Sequence, residues 1–223
     1  MSARTAREEL EAVAQALQLQ VDFPEAVLRE VQAFEADPGV DDPSLADLTS
    51  WPFVTVDGEH SRDLDQALFI RREGAGFLVA YAIADAAHYV RPGSALFAEA
   101  LRRGASYYFP GFSVPMLPRR LSEGLVSLNA DGPRRALVFL HRLDARGEHV
   151  DTQLTRARVR SRAKLSFGQV QRLVDAPATS PLQGAEFEDS LRLLREVGRL
   201  RMAFAARRGL VRYRREEVAI ELD

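Results

Sequence analysis

Three apolar runs with short connections are the strongest constraint on the fold of this chain. They read FVTVD, QALFIRR and GFLVAYAIAD, and they are separated by a charged loop and by the turn REGAG. Runs rich in Val, Ile, Phe and Tyr, bounded by Gly and Asp, are typical of β-strands. We therefore predict three consecutive strands between residues 53 and 85, in a mainly antiparallel sheet.

The remaining segments predict helices and one further hairpin. Apolar residues recur at helical spacing in several ranges, and Ser94 and Gly104 are suited to cap the third of them. The predicted helices cover residues 5–19, 24–36, 94–103, about 166–175 and 184–208. Residues 135–165 predict a hairpin around Arg146 and Gly147, the run YYFPGFSVPMLPRRL predicts an irregular stretch, and the final run LVRYRREEVAIELD is strand-like. This order of elements predicts an α+β fold with a mixed, mainly antiparallel sheet and packed helices.

Composition suggests a boundary near residue 48 and restricts the class of protein. The stretch ADPGVDDPSLADLTSWP is rich in Pro, Asp and Gly, so we expect residues 1–48 to form a helical segment with a linker, and residues 49–223 the main domain. The absence of cysteine excludes disulfides and thiolate metal sites. With no secretory leader pattern and no apolar run of about 20 residues, we expect a cytoplasmic protein that does not enter a membrane.

The loop between the first two predicted strands concentrates negative charge. In TVDGEHSRDLDQAL, Asp63 and Asp65 are two positions apart and share one side of extended backbone, while Asp57 ends the preceding strand. Neighbouring carboxylates repel unless a cation neutralises them, and hard cations such as Mg²⁺ or Mn²⁺ suit oxygen ligands. Such metals are typical of phosphoryl chemistry. The spacing alone leaves open a solvated acidic loop in which Asp63 caps the following structure.

A second charged run alternates strictly. In RARVRSRAK, every second residue is basic: Arg156, Arg158, Arg160, Arg162 and Lys164. In a single strand all five side chains would lie on one face, where an RNA backbone would neutralise them. The alternative is a solvated sheet face whose charges are partly paired with the acidic N-terminal helices. The net charge of −2 favours neither interpretation.

Several blocks in a fixed order resemble the ribonuclease II family, the RNB-domain exoribonucleases. They cover roughly residues 50–223 and read TVDGEHSRDLDQAL, AYAIADAAHYVRPGSALFAEALRRGASYYFPGFSVPMLPRRLSEGLVSLN, RSRAKLSFGQVQRLV and RRGLVRYRREEVAIELD. The resemblance implies an RNB-like fold and a hydrolytic 3′→5′ exoribonuclease. Such an enzyme would act on single-stranded RNA, release nucleoside 5′-monophosphates and need Mg²⁺.

The resemblance also implies roles for individual residues. Asp57, Asp63 and Asp65 stand at the first three aspartate positions of the family motif, as catalytic residues and metal ligands. Gln66 stands at the fourth, which is usually aspartate; its carbonyl oxygen remains a possible ligand, but one negative charge is lost and metal affinity should fall. Tyr108 matches the family aromatic that stacks on a base near the 3′ end. Without the resemblance, Tyr108 would be interpreted as a core aromatic.

The family domain continues beyond the point that corresponds to Asp223. In relatives the following part adds helices, an arginine and a glutamate to the catalytic pocket, so we expect this chain to be incomplete as an enzyme and to require that part. Two alternatives stand beside the exoribonuclease. One is a catalytically inactive RNA-binding or regulatory module, and the other is an unrelated metal-dependent phosphoesterase.

Overall fold

The computed structural model describes residues 3–211 and residue 213. The strands among them are β1 (Ala46–Asp47), β2 (Phe53–Asp57), β3 (Gln66–Glu73), β4 (Gly76–Ala84), β5 (Tyr107–Phe109), β6 (Phe112–Val114), β7 (Arg134–Leu143), β8 (His149–Val159) and β9 (Ser161–Ser166). The helices are α1 (Ala3–Ala16), α2 (Glu25–Ala36), α3 (Ala86–Tyr89), α4 (Ala95–Arg103), α5 (Phe167–Asp175) and α6 (Glu188–Arg207). A π-helical turn covers Arg120–Leu125, and a short 3₁₀ turn covers Pro177–Thr179.

Seven of these strands form one sheet in the order β1-β8-β7-β4-β3-β2-β9. The neighbours β2–β3, β3–β4, β4–β7 and β7–β8 are antiparallel, whereas β1 with β8 and β2 with β9 are parallel. The three consecutive strands predicted between residues 53 and 85 are β2, β3 and β4. The predicted α+β fold with a mixed, mainly antiparallel sheet is confirmed.

The described residues form two compact units that alternate along the sequence. The helical unit contains residues 3–37 and 86–122, and the sheet unit contains residues 38–85 and 123–211. The segment that the composition predicts to be a linker enters the sheet unit, because Ala46–Asp47 pairs with β8 and Leu45 is buried. Within the described residues, no helix is long and apolar enough to cross a membrane.

The core of the sheet unit lies between the sheet and its helices. Leu191 of α6 and Leu173 of α5 pack with Val54 of β2. Further along α6, Val197 packs with Ile70 and other residues of the sheet. Ser166 caps α5 through a reciprocal capping box with Gln169, as the start predicted near residue 166 requires. The helix predicted for residues 184–208 thus presents an apolar face to the sheet.

In the helical unit, α4 is capped at both ends and is hydrogen-bonded to α2. The Ser94 hydroxyl accepts a hydrogen bond from the backbone N–H of Phe97, and Gly104 ends α4 with φ +74°, as predicted. The Glu30 carboxylate on α2 accepts hydrogen bonds from the first two N–H groups of α4 at 2.8 and 2.9 Å. An acid at this position also complements the positive end of the helix dipole. The second N-terminal helix, α2, therefore packs onto α4.

Two predictions of local structure are wrong. The first part of the stretch predicted to be irregular, residues 107–114, forms the hairpin β5–β6, because Pro110 and Gly111 (φ +81°) supply the residues that a type II turn needs. The basic run is not one strand: it leaves the ladder at Arg160 and continues as β9 at the other end of the strand order. The next partner of Arg160 on β7 would be Pro133, which has no N–H to donate. The strand-like run predicted at the C-terminus covers residues 210–223, of which residue 212 and residues 214–223 lie outside the described residues.

Candidate active site and RNA-binding residues

The acidic loop begins with a tight turn at the end of β2. One carboxylate oxygen of Asp57, Oδ1, accepts hydrogen bonds from the Gly58 N–H at 2.6 Å and from the Ser61 hydroxyl at 2.9 Å. The Ser61 N–H donates to the Gly58 carbonyl at 3.2 Å and closes the turn. Asp57 is therefore held at one oxygen by its own loop.

Residues 62–65 connect this turn to β3 and have no regular secondary structure of their own. Leu64 is 1% exposed, its N–H donates to the Ser127 hydroxyl, and its carbonyl accepts from the Leu128 N–H, both at 2.9 Å. Burial alternates along this segment: Asp63 and Asp65 are exposed on either side of buried Leu64, as expected when both acids lie on the side opposite to Leu64. The predicted placement of these two acids on one side is thus explained by the buried residue between them.

The three aspartates interact electrostatically. Partial burial of the Asp65 carboxyl, together with the negative charges of Asp63 and Asp57, raises the pKa of Asp65 above its usual range. The donors are oxygens of the kind that Mg²⁺ prefers. Within the described part of the chain, however, no three His, Asp or Glu side chains are gathered closely enough to form a ready metal-binding group. The residues suit a hard cation in donor type, and metal binding by Asp57, Asp63 and Asp65 stays a prediction.

Gln66, at the fourth position of the motif, has a partner on the neighbouring strand. Its carbonyl oxygen Oε1 is hydrogen-bonded to the hydroxyl of Tyr81 on β4. A neutral amide held in this way keeps the position polar without adding a fourth negative charge. The role of Gln66 as a metal ligand likewise stays a prediction.

Three of the five alternating basic residues bind other parts of the sheet unit. The Lys164 ammonium donates to the carbonyls of Glu59 and Ser61 at 2.9 and 2.5 Å, and so ties β9 to the acidic loop. Arg158 pairs with Asp41 and Asp47, and Arg162 pairs with Glu186. The acids come from residues 41–47 and from the segment before α6, not from the N-terminal helices named in the alternative prediction.

The other two basic residues are more open. The Arg156 side chain is 65% exposed, with its Nε 4.0 Å from a carboxylate oxygen of buried Asp85. Arg160 is exposed, and its side chain has no hydrogen bond or ion pair with the described residues. The intervening residues Ala157, Val159 and Ser161 are buried, so burial alternates along the run, but the alternation in the sequence did not show which charges already have partners.

Tyr108 lies on β5 in the helical unit and is 75% exposed. Its strand partner is Ser113, and the stacked rings of Phe109 and Phe112 (centroids 4.7 Å apart) close the end of the hairpin. The interpretation of Tyr108 as a core aromatic is therefore wrong. Its ring is accessible for stacking, which stays a prediction.

Sequence reasoning missed two features of the sheet unit. The first is Ser127, which is fully buried and binds the backbone on both sides of Asp63; only its place in the block SEGLVSLN hinted at a role. The second is a polar cavity of about 460 Å³ beside the acidic loop. Its lining residues are Asp57, Glu59, Lys164, Ser166, Phe167, Gly168, Gln169 and Arg172.

Comparison with known proteins places these features in a family. The model of the RNB domain matches residues 45–223. Ribonuclease R of Mycoplasmopsis pulmonis is 37% identical over 151 residues, which are 67% of this chain and 21% of that protein. Exoribonuclease 2 of Proteus mirabilis is 36% identical over 186 residues, which are 82% of this chain and 29% of that protein.

A solved structure agrees with this assignment. Mycoplasma genitalium RNase R in complex with ribose methylated single-stranded RNA superposes with a TM-score of 0.87 at 30% identity. The match covers 96% of this chain and 34% of that one. The chain therefore belongs to the RNB family of exoribonuclease homologues, and it spans 16–44% of the length of the curated relatives compared with it.

Proposed function

We propose that this chain is the metal-binding part of a Mg²⁺-dependent, hydrolytic 3′→5′ exoribonuclease that acts on single-stranded RNA and releases nucleoside 5′-monophosphates. The observation that carries the proposal is the electrostatic coupling of Asp57, Asp63 and Asp65 in a chain of the RNB family. The likeness to an RNase R structure that holds single-stranded RNA supports the substrate class.

In this proposal the three aspartates hold the cation, and Mn²⁺ is the alternative to Mg²⁺. A bound divalent cation supplies charge that polarises a phosphate and activates water. The chain itself contributes the oxygen donors and the backbone of residues 62–65, which is held by hydrogen bonds to Ser127 and Leu128. Gln66 contributes a neutral oxygen that already accepts a hydrogen bond from the Tyr81 hydroxyl, so it should coordinate a cation only weakly. We expect a metal affinity lower than a fourth carboxylate would give.

RNA binding divides between the two units. Tyr108 offers an exposed ring for base stacking, a contact worth about 1–3 kcal/mol per base and tolerant of sequence. Among the five predicted phosphate contacts, we assign Arg156 and Arg160 to RNA, because their charges are the least engaged within the described residues. Arg158, Arg162 and Lys164 contribute mainly to the fold of the sheet unit.

Activity is proposed to require the part of the RNB domain that follows the corresponding region in relatives. The chain spans only a fraction of the length of those proteins, from 16 to 44%. A positive group that stabilises the charge of the transition state is worth orders of magnitude in rate. We therefore expect turnover from an extended chain and little or none from residues 1–223.

The test follows a 5′-labelled single-stranded RNA with Mg²⁺, using this chain and a version extended through the rest of the RNB domain. We expect shortening from the 3′ end by the extended chain only. Asp65→Asn in the extended chain is the control and should abolish the shortening. Binding without cleavage by the extended chain would contradict the proposal.

A second candidate is a catalytically inactive RNA-binding or regulatory module. It is favoured by the engagement of Gln66 with Tyr81 and by the absence of a closed group of three metal-binding side chains among the described residues. It predicts salt-sensitive RNA binding and no turnover even in the extended chain. Gln66→Asp separates the two: recovery of cleavage only in this variant would identify Gln66 as the cause of the inactivity.

A further inference from the structure

Ser127 binds the backbone of the acidic segment at two points. Its hydroxyl accepts a hydrogen bond from the Leu64 N–H at 2.9 Å and donates one to the Arg62 carbonyl at 2.8 Å. These two groups belong to the peptides that flank Asp63. One buried hydroxyl, with no exposed surface, therefore fixes the backbone on both sides of a predicted metal ligand.

The next residue extends this anchor to the second acid. The Leu128 N–H donates to the Leu64 carbonyl at 2.9 Å, which fixes the peptide that precedes Asp65. Leu64 and Leu128 are each 1% exposed, so these bonds are shielded from water. Shielded hydrogen bonds hold geometry more firmly than exposed ones, because broken partners find no water.

The hydrogen bonds from Ser127 and Leu128 oppose the electrostatic repulsion between the acidic side chains. Asp63, Asp65 and Asp57 raise one another's free energy when ionised, and an unanchored segment would move to separate them. We propose that Ser127 is a positioning residue, which acts through the backbone of residues 62–65 to keep Asp63 and Asp65 in place for a divalent cation. The inference rests on the proposed function, since it assumes that these carboxylates bind the cation.

The chain offers a matched control for simple loss of stability. Ser190 on α6 is 2% exposed, and its hydroxyl accepts a hydrogen bond from the Ile70 N–H on β3 at 2.9 Å. Ser127→Ala and Ser190→Ala thus each remove a buried hydroxyl that binds a strand or extended N–H. Both should lower the thermal midpoint, but only Ser127 touches the acidic segment.

The experiment measures Mn²⁺ binding to the chain by titration with detection of free Mn²⁺, without RNA. We expect Ser127→Ala to weaken binding about 10-fold, the lower end of the effect of removing a group that orients metal ligands. Ser190→Ala should leave the dissociation constant unchanged. Ser127→Cys, which keeps a weak donor and acceptor of similar size, should give intermediate affinity.

Asp65→Asn separates failure of this inference from failure of the proposed function. If Asp65→Asn abolishes Mn²⁺ binding while Ser127→Ala binds like the unaltered chain, the positioning role is overturned. If Asp65→Asn binds as well as the unaltered chain, the carboxylates are not the metal site and both proposals fall. Hydrogen exchange in the unaltered chain is a check that needs no variant: the Leu64 amide should be strongly protected, and rapid exchange would overturn the anchor.

Discussion

Lys164 and Arg160 allow a sharp test of how the basic run is used. They lie four residues apart in the same alternating pattern, but the Lys164 ammonium binds the carbonyls of Glu59 and Ser61, whereas the Arg160 side chain has no partner among the described residues. The substitutions Lys164→Met and Arg160→Met each remove one charge and keep a long side chain. We expect Lys164→Met to lower the stability of the fold and Arg160→Met to weaken RNA binding.

The contacts set the expected size of the stability effect. Lys164→Met removes two charge-assisted hydrogen bonds at an exposed site, where water replaces the lost partner, so we expect a loss of about 1 kcal/mol. For a chain of this length that corresponds to a fall of about 2–4 °C in the thermal midpoint. Arg160→Met should leave the midpoint unchanged.

For the salt dependence of RNA binding, Arg160→Met should have the larger effect and Lys164→Met the smaller one. Each phosphate contact contributes about 0.7 to the slope of log K against log salt concentration for a single strand. Fluorescence anisotropy with a labelled single-stranded oligonucleotide should therefore show a slope smaller by about 0.7 for Arg160→Met and an unchanged slope for Lys164→Met. A slope reduced by Lys164→Met, with an unchanged thermal midpoint, would refute the internal role of Lys164.

Three further predictions follow from single residues. Because burial and neighbouring charges raise the pKa of Asp65 in the folded chain, its ionised form costs stability at neutral pH without metal; Asp65→Asn should raise the thermal midpoint at pH 7, and the gain should shrink as the pH falls through that pKa. Gly147→Ala should destabilise the chain by about 2–4 kcal/mol in denaturant titrations, because Gly147 has φ +75° and an added Cβ would lie 2.6 Å from the Leu200 Cβ. Tyr108→Ala should weaken binding of single-stranded RNA by about 1–3 kcal/mol in the anisotropy assay, with no change in thermal midpoint because the ring is 75% exposed.

Local patterns in the sequence predicted most elements of the fold. The periodicity of apolar residues located the long helices, and the capping residues Ser94 and Gly104 defined both ends of α4. Short apolar runs located β2, β3 and β4. These features are determined by neighbours within a few positions, so they can be read without knowledge of the tertiary structure.

The errors arose where a distant residue or an unrecognised turn decides the structure. Pro110 and Gly111 form a turn within a Pro-rich stretch that has no run of apolar residues typical of strands. The end of β8 depends on Pro133, which lies opposite Arg160 on another strand. The partners of Arg158 and Arg162 are separated from them by 24 to 117 positions. No local pattern contains this information, because strand pairing and ion pairs join residues far apart in the sequence.

The anchors of the acidic segment were missed for a chemical reason. Charged, aromatic and metal-binding side chains are the usual signals of a functional site in a sequence. A site that gathers like charges also needs uncharged groups that hold its backbone in place. A buried cation next to Asp63 and Asp65 would neutralise the charge that attracts a divalent metal. Ser127 and Leu128 fix the same backbone through hydrogen bonds without adding charge, while the cation of Lys164 binds loop carbonyls instead of the carboxylates. The backbone of the acidic segment is thus fixed without placing a positive charge against its carboxylates.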